Sequence, residues 1–161
     1  MPRLFAGGVS GLSVGLCLVI LSHPAGATGP FQAPAVLPDA PGKAVVERIC
    51  LGCHGAEVIV PARTLPVWRE TLELMKGFGA VATDEEWTTV HTYVFSNLAA
   101  LNVNRASADD FAALFLLDAS AATSVVAHRE KSGGFRTIDD LKKAPGLDAA
   151  RVDAAKDRLS F

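Results

Sequence analysis

Cysteine is scarce in this chain, with only Cys17, Cys50 and Cys53 among 161 residues. That excludes a scaffold stapled by several disulfides. A surplus of positive charge is missing too. Residues 28–101 hold five basic and eight acidic side chains, and residues 102–161 hold nine of each. Neither part has the basic excess that phosphate binding rewards, so charge makes no case for nucleic acid. There is no low-complexity tract, no long run of like charge, and no second Cys/His pair at zinc spacing. No set of carboxylates, and no nucleophile with its base, marks a catalytic centre. The chain reads as a non-enzyme. Period-two alternation is absent from Lys43 onward, which predicts an all-α fold.

What is present begins with an export signal. Arg3 supplies a positive start, Leu12 to Leu21 an apolar run, and Pro24-Ala25-Gly26-Ala27 a small-residue site. That order describes a secretory signal peptide over residues 1–27. The run falls short of the roughly 20 residues a spanning helix needs. Cleavage after Ala27 would remove Cys17 and leave a periplasmic protein with no stable membrane span. Residues 28–42, with Pro30, Pro34, Pro38 and Pro41, read as a proline-rich linker.

Helical patterns follow. Val45, Val46 and Ile49 give one apolar face from Lys43 to Cys50. Thr64 starts a second helix whose stripe is Leu65, Trp68, Leu72 and Met75, with Gly77 and Gly79 at its end. Thr83 and Glu86 form a capping-box pattern before a third helix with Trp87, Val90, Val94 and Leu98 inside. A boundary falls near Ala99 to Arg105. Beyond it four short helices are expected, capped by Ser107, Asp118, Thr137 and Asp148. The last runs to Leu159, and Pro145-Gly146 turns the chain into it. Helix, tight turn, helix thus occurs twice.

The strongest chemical signal is Cys50-Leu51-Gly52-Cys53-His54. Two thiols three positions apart at a helix end can form thioethers with two vinyl groups on one haem edge. His54 then lies under the iron. This five-residue pattern is a c-type haem attachment signature. A redox dithiol, a zinc site and a structural disulfide are the competing readings. Electron-transfer haem iron commonly takes a second axial ligand, Met or His. Met75 is the one methionine left after export and the leading choice. His91 and His128 are the alternatives, and five-coordinate iron is a further one. Trp68, Trp87 and Phe78 are expected in the core.

Residues 43–101 resemble a class I cytochrome c domain. The resemblance rests on the helix ending in the Cys50, Cys53, His54 motif, the Trp68-x6-Met75 element and the following helix near Tyr93. It looks particularly like the short cytochrome domains attached to periplasmic dehydrogenases. It implies one covalent haem c, a pocket shared by the core aromatics, and a redox partner: a dehydrogenase as donor, an oxidase or another cytochrome as acceptor. No Met-Pro pair occurs, a departure that bears on the distal ligand.

Residues 102–161 resemble the tandem helix-hairpin-helix domain of the periplasmic competence DNA receptor. The matching pieces are Asn102-Val103-Asn104-Arg105-Ala106, Gly133-Gly134-Phe135-Arg136-Thr137-Ile138-Asp139-Asp140-Leu141 and Pro145-Gly146-Leu147. In that family Gly-x-Gly hairpins offer backbone N–H groups to DNA phosphates. Here the hairpins read Leu116-Leu117-Asp118 and Gly146-Leu147-Asp148, with a carboxylate at each expected contact. The resemblance leaves two functions: an electron-transfer cytochrome with a docking module, or a DNA-binding protein with an accessory haem. A haem enzyme such as a peroxidase would need an open iron position.

Overall fold

The computed structural model describes Met1 and residues 36–161. The export signal, its cleavage point and the linker up to Ala35 lie outside the described residues. Residues 36–161 belong to one compact unit.

The unit is mostly helical, with eight α-helices among the described residues. Helix α1 (Lys43–Cys50) starts at Gly42, whose φ of 92° is left-handed. A Cβ there would meet Thr89 Cγ2 at 2.9 Å. Glycine at this point therefore lets α1 lie directly on α4 (Asp84–Asn97). An Arg48–Glu86 ion pair spans the same two helices. Glu86 also completes the capping box with Thr83, as the sequence implied.

Helix α2 (Ala56–Ile59) is a single turn that the sequence did not announce. Helix α3 (Leu65–Gly77) buries Leu65, Trp68 and Leu72 and leaves Met75 half-buried. It ends at Phe78 and Gly79, where the Ala80 N–H donates to the Met75 carbonyl at 3.0 Å. Trp87 is half-buried, whereas Phe78 is 80% exposed. The expectation that Phe78 is core therefore fails. It occupies the C-cap, where the chain has already turned off the buried stripe.

The second half holds α5 (Ala108–Phe115), α6 (Ala119–Ser132), α7 (Ile138–Lys142) and α8 (Ala149–Ala155). Ser107, Asp118, Thr137 and Asp148 cap them, each accepting a backbone N–H from the first turn. Phe111, Leu114, Phe115, Val125, Leu141 and Val152 fill the interior.

The all-α expectation needs one correction. Strands β1 (Arg63–Thr64), β2 (Ala99–Asn102) and β3 (Leu159–Ser160) form a small parallel sheet in the order β1-β2-β3. Strands of two to four residues are too short to show alternation. Their pairing depends on residues far apart in sequence. The last helix accordingly stops at Ala155, not Leu159, and passes through a 3-10 turn (Lys156–Arg158) into β3. Strand β2 occupies the segment where a domain boundary was expected. One continuous core runs from Leu37 to Ala155.

Candidate functional site

Cys50 closes α1, and the turn after it folds back on its carbonyl. The N–H groups of Cys53 and His54 donate to Cys50 O at 3.3 and 3.1 Å. This winding brings the two thiols and the imidazole onto one turn. Cys50 is half-buried, and burial pushes its thiol pKa up. Cys53 is exposed and His54 half-exposed. Both cysteines are free thiols, so the structural-disulfide reading finds no support among the described residues. No group of three His, Cys, Asp or Glu side chains is placed to hold a metal ion among the described residues.

Met75 lies on a different element, near the end of α3. Beside its stripe runs a second apolar row. Val67, Leu74 and Phe78 follow at spacings of seven and four, so they share one side of the helix. All three are exposed, as are Val58 and Val81. Val81 is 83% exposed. Apart from Val36, Leu116 and Phe161, every exposed large hydrophobic of residues 36–161 lies between Leu51 and Val81, the stretch around the Cys50, Cys53, His54 turn.

Trp68 supplies a sharper test of whether a prosthetic group fits here. Its indole is buried, and its Nε1–H is the one buried side-chain polar atom without a partner among the described residues. A buried donor normally finds an acceptor. Arg63 lies over the same ring, 4.8 Å from its centroid. Its guanidinium donates to the carbonyls of Val58, Pro61 and Ile59 at 3.0, 3.2 and 3.4 Å. A haem brings an apolar disc and carboxylates. The uncovered apolar row and the acceptorless indole suit those two parts. Nothing in the sequence pointed to Arg63, a single basic residue whose partners are backbone atoms.

The alternative ligands sit elsewhere. His91 belongs to a row on α4 between Trp87 and Phe95, with ring centroids 6.4 and 5.5 Å away. Burial first, and then the Lys76 charge, hold its pKa below the usual imidazole value. Arg69 and Lys76 from α3 stack over Phe95 and Trp87 in that row. His91 is thus engaged in helix packing. His128 is half-buried and stacks on Phe135 at 6.1 Å.

The C-terminal half explains its own sequence signature. Asn104 clasps Phe135 through two bonds: its Nδ2 donates to Phe135 O, and its Oδ1 accepts the Phe135 N–H, both at 2.8 Å. Arg129 donates to the carbonyls of Val103 and Ala106. The Asn102–Ala106 segment is therefore pinned to the Gly133-Gly134-Phe135 turn. Each hairpin has a left-handed residue, then Leu, then a capping Asp. Leu116 has φ 54° and Gly146 φ 88°. Leu116 is the only non-glycine residue with positive φ among the described residues. Asp118 and Asp148 accept the N–H groups of Ala121 and Ala150 at 2.8 and 2.7 Å. The Ala121 bond, more than any other contact, holds the Asp118 pKa down. The chain's own carboxylates thus cap the helix that follows each hairpin.

The cations are engaged in the same way. Arg129, Arg151 and Arg158 direct their guanidinium groups at backbone carbonyls. Lys142 and Lys143 pair with Asp153 and Asp140. Of the nine basic residues in this half, Arg105, Lys131, Arg136 and Lys156 have no such clamp or ion pair among the described residues.

The family model of the helix-hairpin-helix motif matches residues 96–160, under half of the chain. No solved structure matches the chain. Residues 96–160 carry a helix-hairpin-helix motif, in line with the hairpins and caps described above.

Proposed function

We propose that the chain is an exported monohaem c-type cytochrome that transfers electrons in the periplasm and is not itself an enzyme. The observation that carries this reading is the turn after α1. Two free thiols and an imidazole share it, and six exposed large hydrophobics, Leu51 to Val81, fall in the chain segment that holds it. Cys50 and Cys53 would form the thioethers, His54 would be the proximal ligand and Met75 the distal one. When bound, the haem supplies a one-electron Fe(III)/Fe(II) couple.

The chain's own residues do the rest. Cys50 and Cys53 would hold the group through their sulfurs. The Trp68 Nε1–H and the fixed Arg63 charge offer a donor and a counter-charge for an acceptor group at that buried wall. A thioether sulfur supplied by Met75 would favour the reduced state. The redox partner would be a periplasmic dehydrogenase, an oxidase or another cytochrome. Full-length chain matured in cells with haem-attachment machinery tests the proposal. A reduced absorption spectrum of covalent haem that disappears in a Cys50→Ser, Cys53→Ser double variant supports it. Haem-free protein sinks it.

The match to the helix-hairpin-helix family favours a second reading, a DNA-binding protein with an accessory haem. Against it stand the capping aspartates at both hairpins and the guanidinium groups tied to carbonyls. It predicts duplex affinity that falls steeply with salt. A gel-shift series with no complex at low salt disposes of it.

A further inference from the structure

We infer that the binding partner of the helix-hairpin-helix module is the N-terminal half of its own chain, and that the module acts as a strap without which that half does not hold its fold. This goes beyond the haem reading and stands whether or not haem is attached.

The family match begins at residue 96, inside the last turn of α4. The first strand of the matched region, β2, is therefore also the strand that pairs with the N-terminal half. On one edge it meets β1, with Arg63 opposite Ala99 and Thr64 opposite Ala100. On the other it meets β3, with Leu101 opposite Leu159 and Asn102 opposite Ser160. A three-stranded sheet of this size gains little by itself. It is locked by Arg158, whose Nη1 donates to Ala99 O at 2.6 Å and Nη2 to Ser96 O at 2.8 Å. Burial pulls the Arg158 pKa down, a sign that the guanidinium has left bulk water for this clamp. Ser96 and Ala99 both fall within the matched region, so the clamp fastens β3 to the last turn of α4, a helix whose earlier turns belong to the N-terminal half.

A second seam lies beside the sheet. Helices α4 and α5 pack together, and Arg69 of α3 reaches Asp110 of α5 at 3.3 Å while its guanidinium lies over Phe95. Asp110 is also the residue that completes the Ser107 capping box, so one carboxylate serves both the start of α5 and the seam. Buried side chains continue without a break from Val90 and Val94 through Leu98, Leu101 and Val103 to Phe111 and Phe115. Both hairpins are capped by the chain's own Asp118 and Asp148, and α5 of the module packs on α4. What remains for the module is to complete the fold of the segment before it.

Both tryptophans, Trp68 and Trp87, lie in the N-terminal half. In haem-free full-length protein their emission therefore reports that half alone, while far-ultraviolet circular dichroism reports the whole chain. Leu141→Ala opens a cavity within the module, away from both tryptophans in sequence, and Arg158→Met removes the clamp. The strap requires that each variant lower the tryptophan midpoint and the dichroism midpoint together, by about 5 °C or more. A tryptophan transition unchanged from the unsubstituted chain, with a separate earlier dichroism transition, overturns it. If a variant fails to fold, native-state hydrogen exchange on the unsubstituted chain decides between the same two outcomes. Amides of Val94 in α4 and Val125 in α6 should open with one common free energy. Exchange at Val125 through an opening that leaves Val94 protected also overturns the strap.

Discussion

Replacing Tyr93 by Phe gives a prediction with a sign, a size and a pH window. Tyr93 is the single tyrosine of the chain and is 0% exposed. Its hydroxyl donates to Pro38 O at 2.5 Å, tying the segment before α1 to α4. Burial of the phenol, and then the Glu47 and Asp39 charges, push its pKa up to about 12. A raised pKa means that the folded chain keeps a proton which the unfolded chain, with a pKa near 10, gives up. The stabilisation is therefore complete below about pH 10 and is lost as pH rises through about 12. Full linkage would give about 1.4 kcal/mol per pH unit over that window. The hydroxyl bond is only part-buried, so screening by water reduces the total to about 1 kcal/mol. Loss of one hydrogen bond costs about 1 kcal/mol at neutral pH. In urea titrations Tyr93→Phe should then be less stable than the parent by about 1 kcal/mol at pH 8. The gap should close towards pH 12, because the variant lacks the titrating group. Other alkaline groups are common to both chains and cancel in the difference. Ultraviolet absorbance of tyrosinate reads the same site directly. A gap independent of pH, or a tyrosinate midpoint near 10 in folded protein, would falsify this account.

Other outcomes follow from particular contacts. Leu116→Gly should be more stable than Leu116→Ala by about 1 kcal/mol, since both lose the side chain and only Ala retains the left-handed penalty; the usual order, with Ala ahead, would remove the strain argument. Asn104→Ala breaks both bonds to Phe135 and should cost about 1–3 kcal/mol by denaturant unfolding, whereas a loss below about 0.5 kcal/mol would mean the clasp is replaced by water. Thr83→Ala removes the α4 cap and should cost about 1 kcal/mol, read from the thermal midpoint. In haem-loaded protein Met75→Ala should convert low-spin ferric iron to high-spin by absorption spectroscopy; an unchanged spectrum would show that Met75 is not a ligand.

Much of the local structure was legible without coordinates. Helix α1 ends at Cys50, and α4 begins behind the Thr83–Glu86 box as its spacing indicates. Ser107, Asp118 and Thr137 cap the helices they precede. These signals act over three or four residues, so a linear reading can find them. The Cys50, Cys53, His54 constellation is local for the same reason: one turn of chain brings its members together.

What only the tertiary structure decided acts over long separations. Arg158 meets Ala99 and Ser96 across 59 and 62 residues. The strands joined by that clamp are too short to announce themselves. Tyr93 is fully buried because a carbonyl 55 residues earlier accepts its hydroxyl. Phe78, an aromatic expected in the core from the sequence, faces outward because the cap of α3 turns there. Leu116 takes the left-handed conformation that a glycine has in the second hairpin, because the hairpin geometry imposes it. The sequence by itself determined where seven of the eight described helices start and brought Cys50, Cys53 and His54 together in one local motif. Packing across the chain decided that the two halves share one core, since backbone carbonyls and apolar faces carry no residue code until another segment comes to meet them.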